Sequence, residues 1–136
     1  MKLARRLPPT LFAIILALGA IACANHPVTL HGVEVSDPFA VNAANRLAQL
    51  ETTLVTTGDL LLAARSHFTN AQWDRIADTS HAALDALTVA RANLSLYVDQ
   101  VTAAENTGAT RDALQKSIDV LTFLATSYVA YQGGGS

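Results

Sequence analysis

Three segments of this chain repeat apolar residues in alternating steps of three and four, and that pattern limits the fold more than any other feature. Such spacing lines side chains up along one face of an α-helix with 3.6 residues per turn. The first stripe comprises Ala40, Ala43, Leu47, Leu50, Leu54, Thr57, Leu61, Ala64 and Phe68. The second comprises Ile76, Ala83, Leu87, Ala90, Leu94, Tyr97 and Val101, and the third Leu114, Ile118, Leu121, Ala125 and Tyr128. Aromatic residues are only 6% of the 136, so alanine, leucine and valine carry the apolar load and favour closely packed helices. The expected fold is all-α: an up-down-up three-helix bundle, a helical hairpin plus a third helix.

Local signals place the helix ends. Ser36-Asp37-Pro38 offers an oxygen-bearing N-cap followed by proline at the first helical position. Gly58, next to the single polar residue of the first stripe, costs about 1 kcal/mol relative to alanine, so a bend at Thr57-Gly58-Asp59 is allowed within one helix. Thr69 and Gln72 are spaced for a capping box, with Phe68 and Trp73 at the positions of a hydrophobic staple. Asn106-Thr107-Gly108 marks the next break. The helices are therefore expected at about 38–68, 70–105 and 110–131, within a bundle spanning 38–132, with 133–136 a flexible glycine-rich tail. Val120, Phe123, Leu124 and Val129 widen the apolar surface of the third helix, as in a helix that covers two neighbours or joins another subunit.

The first 22 residues have the three parts of a secretory signal. Lys2, Arg5 and Arg6 form a positive start, and Leu11–Ala22 is an uncharged apolar run of 12 residues. A spanning helix needs about 20 such residues, so the run reads as a signal peptide over 1–22. Cys23, the only cysteine, stands where the apolar run ends. A single cysteine also excludes an internal disulfide framework and a zinc-finger cluster.

Ala20-Ile21-Ala22-Cys23 resembles the lipobox of bacterial lipoproteins. The resemblance implies cleavage between Ala22 and Cys23, a diacylglycerol on the Cys23 thiol and acylation of the new amino terminus. Alanine stands at position 20, where that family most often has leucine. Rival cuts of the ordinary A-x-A kind would leave Cys23 unmodified, or remove it and release a soluble chain at Asn25. Several acyl chains together hold a protein almost permanently in a bilayer. Ala24 follows the cysteine in place of aspartate, which in the enteric-type sorting rule implies the outer membrane and its periplasmic face. Residues 23–37 then read as the lipidated cysteine and an extended tether; fully stretched, 24–37 would reach about 40–50 Å, and Val33 and Val35 suggest a strand with no obvious partner.

Removal of Lys2, Arg5 and Arg6 from the 9 basic residues leaves 6 against 11 acidic ones, a net of −5. A surface of that sign excludes nucleic acid as an expected partner. Asp74, Asp78, His81 and Asp85 recur at i, i+4, i+7 and i+11 and share one helix face. They form a candidate metal or acid/base strip, although an exposed strip on one helix rarely closes a coordination sphere and a solvated face is the plainer reading. His26 and His31 flank Pro27 in the tether and read as solvated, and His67 suits the C-terminal end of the first helix. Phe123 and Tyr131 are candidates for an interaction surface, Tyr131 because it has the weakest packing role among the aromatic residues. Asn93-Leu94-Ser95 matches a glycosylation sequon inside an expected helix and is discounted.

The chain has no GxSxG elbow, HExxH pair or phosphate-binding glycine loop, and it reads as non-enzymatic. No cofactor is expected beyond the covalent lipid on Cys23. The signal, the alanine-rich hairpin and the segment FTNAQWDRIADTSHAA over Phe68–Ala83 together resemble the small helical lipoproteins encoded by phages and prophages. That resemblance implies an envelope protein acting as a lysis accessory, in superinfection exclusion or in assembly, with an envelope protein as partner. The chain lacks the proline-rich composition typical of membrane-bridging lysis lipoproteins. Two alternatives stand beside it: a soluble periplasmic or secreted bundle that self-associates through the third helix, and a small-ligand or metal-binding protein using the acidic strip.

Overall fold

The computed structural model describes residues 28–30 and 32–133. Helix α1 spans Pro38–Ala63, α2 spans Asn70–Thr102 and α3 spans Gly108–Ala130. Arg46 of α1 reaches Thr122 of α3, and Gly58 lies against Tyr128, so α1 and α3 run in the same direction. Asp37 and Glu51 meet Tyr97 and Arg91, while Ser117 and Tyr131 meet Asn93 and Thr79, so α2 runs antiparallel to both. This is the up-down-up bundle that the three stripes require, and α2 and α3 share its largest interface.

The stripes supply the core. Leu61, Ile76, Leu114 and Leu121 are fully buried, each a side chain whose burial contributes about 1.5–3 kcal/mol. Ala40, Ala83 and Ala90 are completely enclosed, which lets the backbones approach closely. Thr57 is buried with its apolar neighbours, and α1 continues through Gly58 as one helix. A side chain at Gly58 would set a Cβ 3.2 Å from the Tyr128 hydroxyl, so this glycine is explained by a close helix crossing. Val41 and Val98 also join the buried set, whereas Ala64, Phe68 and Val101 are only half-buried.

Three helix boundaries differ from expectation. Helix α1 ends at Ala63 rather than 68, because a 3-10 turn over Arg65–His67 follows and Phe68 is extended (φ −109°, ψ 142°) to reach Trp73. His67 therefore lies in that turn and not in the last turn of α1. Helix α2 ends at Thr102 rather than 105, since Ala104 takes a left-handed conformation (φ 55°). The Ala104 N–H then donates to the Val101 carbonyl at 3.1 Å and the Glu105 N–H to the Gln100 carbonyl at 2.9 Å, the two bonds of a Schellman motif. Helix α3 starts at Gly108, two residues early, after the Asn106 side chain accepts from the Gly108 N–H at 3.0 Å.

The segment expected to be a tether is partly a hairpin. Strand β1 (Val28–Leu30) pairs antiparallel with β2 (Val33–Val35), in the register Val28↔Val35, Thr29↔Glu34 and Leu30↔Val33. Gly32 supplies the positive φ (77°) that so short a connection needs. A two-stranded ribbon of this size is marginal alone, and this one is docked: Val35 is buried and Leu30 packs on the core. The partner that Val33 and Val35 lacked in the sequence reading is the segment immediately before them. The hairpin thus takes up 28–35 of the segment expected to be extended, and residues 24–27 lie outside the described residues.

Candidate functional site

A cluster of polar and aromatic contacts forms at the end of the bundle where α1 begins and α2 ends. Asp37 caps α1: its Oδ2 accepts from the Ala40 N–H at 3.0 Å, with Pro38 following at the first helical position. The same oxygen accepts from the Tyr97 hydroxyl at 3.0 Å, across 60 residues of sequence. Burial first, and then the bond to Asp37, push the Tyr97 phenol above its ordinary pKa of 10.0. Phe39 meets the Tyr97 ring edge-on with centroids 5.1 Å apart, and the Arg111 guanidinium lies over the Phe39 ring, 4.4 Å from its centroid. One oxygen of Asp37 thus serves both as the cap of α1 and as the acceptor for Tyr97. The cluster clamps the first residues of α1 to α2 and α3.

Beside this clamp lies an open groove of about 410 Å³ between α1 and α2. Leu30 of β1 closes its upper end, Leu47 and Leu94 form its floor, and the Glu51–Arg91 ion pair spans it. The pair is exposed, and exposed pairs of this kind contribute about 0–1 kcal/mol. The groove brings together one carboxylate and one guanidinium that pair with each other.

Asp74, Asp78, His81 and Asp85 are all exposed on the outer face of α2. Among the described residues no group of three or more His, Cys, Asp or Glu side chains is placed to hold a metal. Among the described residues no ligand from another helix joins this strip. Phe123 stands at the surface with 70% of its area exposed, near Val120 on the same outer face of α3. Tyr131, in the 3-10 turn over Tyr131–Gly133, is half-buried against the core, its hydroxyl 3.3 Å from that of Thr79. Of the two candidate surface residues, only Phe123 is exposed. Ala22, Cys23, His26 and His31 lie outside the described residues, as do 134–136.

At the opposite end, Thr69 and Gln72 make the reciprocal capping box, with bonds of 3.1 and 2.9 Å. Phe68 and Trp73 pack with centroids 6.3 Å apart, and Arg65 lies over the Trp73 ring at 4.8 Å while donating to the Phe68 carbonyl and to Asn70. Sequence reasoning found Asp37 and the staple but missed Arg65, Phe39 and Arg111. Arginines spaced to reach an aromatic ring were the available signal for Arg65; nothing local links Phe39 to Arg111.

No described helix is long and apolar enough to cross a membrane. Comparison of the chain with protein-family models, with curated proteins and with solved structures returned no match.

Proposed function

We propose that this chain is a non-enzymatic, lipid-anchored protein of the bacterial cell envelope, held in the outer membrane through Cys23 and facing the periplasm. The observation that carries the reading is the charged start, 12-residue apolar run and Ala20-Ile21-Ala22-Cys23 sequence. The bundle is then a structural or protein-interaction module for an envelope partner, with lysis or superinfection exclusion as the roles its phage-like pattern implies. Its core is filled by side chains, its polar clamp is internally satisfied and its groove carries a neutralised ion pair, all of which suit a module that presents surface.

Membrane fractionation tests the reading. Full-length protein is expected to sediment with the outer membrane and resist washing with high salt, and Cys23→Ala to appear in the soluble periplasmic fraction or as uncleaved precursor. Wild-type protein released by salt would defeat it.

A second reading, a soluble bundle that self-associates, is favoured by the exposed Val89, Leu96, Val120 and Phe123. Sedimentation analysis of the chain from residue 24 onward decides it: a concentration-dependent dimer supports self-association, and a monomer at all concentrations removes it.

A further inference from the structure

The seam between α1 and α2 stays open beyond the Glu51–Arg91 pair. On α1, Val55 lies four residues and Leu62 eleven residues after Glu51; on α2, Leu84 lies seven before Arg91. Each of these steps returns to the same side of a helix. Because the two helices are antiparallel, all three side chains extend the seam from the ion pair toward the α1–α2 turn. Val55, Leu62 and Leu84 are 60%, 64% and 51% exposed. On the hairpin side of the pair the seam is the groove described above, where Ala44, Ala48 and Ala92 leave room for a close approach. From Ala44 to Leu62 it runs about 27 Å at 1.5 Å per residue, or about five turns of one further helix.

Charge indicates which helix fits. Asp59 stands four residues after Val55 and three before Leu62, so it edges the seam on α1. Asp74, Asp78 and Asp85 run along the exposed face of α2 on the other edge, with Asp85 next to Leu84. The arginines nearby are engaged or turned away. Arg91 pairs with Glu51, and Arg65 lies over the Trp73 ring. Arg75 lies four residues before Thr79, whose hydroxyl meets that of Tyr131, which puts it on the α3 side. Exposed apolar surface rimmed by polar groups marks an interaction surface. One edged by acid on both sides is complementary to a helix whose apolar face is flanked by lysine and arginine. A second copy of this chain is a poor match, since its exposed Val120 and Phe123 have Asp112 and Asp119 beside them against Lys116 alone.

We infer that the α1–α2 seam is the docking groove for a basic amphipathic helix of about 18 residues from a protein partner. This rests on the reading of the bundle as an interaction module and does not depend on how Cys23 is modified. The bound helix lays apolar residues spaced at i, i+3 or i+4 and i+7 over Val55, Leu84 and Leu62, and its flanking cations face Asp59 on one edge and the α2 aspartates on the other.

The probe is a synthetic leucine–lysine helix of that length with its leucines along one face, beside a control carrying glutamate for lysine. The full chain, as it matures in cells, is purified and supplied with phosphatidylcholine nanodiscs, so that an anchored or an unanchored chain can be titrated. Binding is read as the anisotropy of labelled peptide above that with empty discs. The lysine peptide is expected to saturate, the glutamate peptide not to bind, and added salt to weaken the complex. Leu62→Ser combined with Leu84→Ser should lower the affinity roughly tenfold or more. Asp59→Asn combined with Asp85→Asn should lower it about two- to fivefold and flatten its salt dependence. All four positions are exposed, so circular dichroism should show unchanged helical content; Val55→Ser replaces the leucine pair should that pair lose it. Val120→Ser combined with Phe123→Ser should bind as wild type does. No binding of the lysine peptide, or equal binding of the glutamate peptide, overturns the groove. Binding lost in the α3 variant but kept in the seam variant also overturns the groove, while leaving an interaction module that works through α3.

Discussion

The two connections of the bundle join helices of similar direction change by opposite means. Between α1 and α2, side chains do the work: Thr69 and Gln72 satisfy each other's backbone, Phe68 packs on Trp73, and Arg65 ties the turn to the ring and to Asn70. Between α2 and α3, the backbone does it: Ala104 adopts a left-handed conformation so that two N–H groups can close on α2, and Asn106 turns the chain into α3. Side-chain devices leave a spaced signature in the sequence. A left-handed alanine leaves none, because glycine is the residue that normally marks such a site.

Substitutions should separate the two connections, beginning with the largest effect. Trp73→Ala removes the staple partner, the Arg65 contact and part of the core at once, and should cost about 2–4 kcal/mol in urea unfolding, below the full cost of a wholly buried aromatic because Trp73 is half-buried. Thr69→Ala leaves the staple and breaks only the capping box, with an expected loss of about 1 kcal/mol. Ala104→Gly should act in the opposite direction. It relieves the left-handed strain of a Cβ and raises stability by about 0.5–1 kcal/mol, net of the added freedom of the unfolded chain. A stabilising Thr69→Ala or a destabilising Ala104→Gly would break the contrast between the connections.

The clamp between Asp37 and Tyr97 adds a pH signature with a definite sign. The folded-state pKa of Tyr97 is raised above its unfolded value, so the folded chain keeps a proton that the unfolded chain releases. The resulting stability is fully present below about pH 10, the reference tyrosine value, and is lost as pH rises through the folded pKa. Thermal unfolding of wild type should show this alkaline decline, and Tyr97→Phe should flatten it while costing about 1 kcal/mol at neutral pH for the lost hydrogen bond. An unchanged alkaline slope in that variant would assign the decline to another group.

Much of the architecture could be read before any coordinates. The stripes through Leu47–Leu61, Ile76–Tyr97 and Leu114–Tyr128 matched the buried faces because helical periodicity is local and strong. The hairpin was harder, as three residues per strand give almost no alternation to detect. Its signal was His31-Gly32 between Thr29-Leu30 and Val33, a two-residue turn with glycine at the second position. The Asp37–Tyr97 and Phe39–Arg111 contacts were not legible, since they join residues far apart in the chain through helix packing alone. Gly58 read as a weak point in a helix and is instead the place where Tyr128 crosses it. Asp74, Asp78, His81 and Asp85 do share one exposed helix face, because their i, i+4, i+7, i+11 spacing is itself helical.

The intact mass of the mature N-terminal peptide, taken from membrane fractions beside a Cys23→Ala control, tests the central claim most directly. The account predicts a peptide beginning at Cys23 that carries two or three acyl chains, absent from the control. An unmodified terminus at Cys23 or at Asn25 would contradict it and leave a soluble bundle in place of an anchored one.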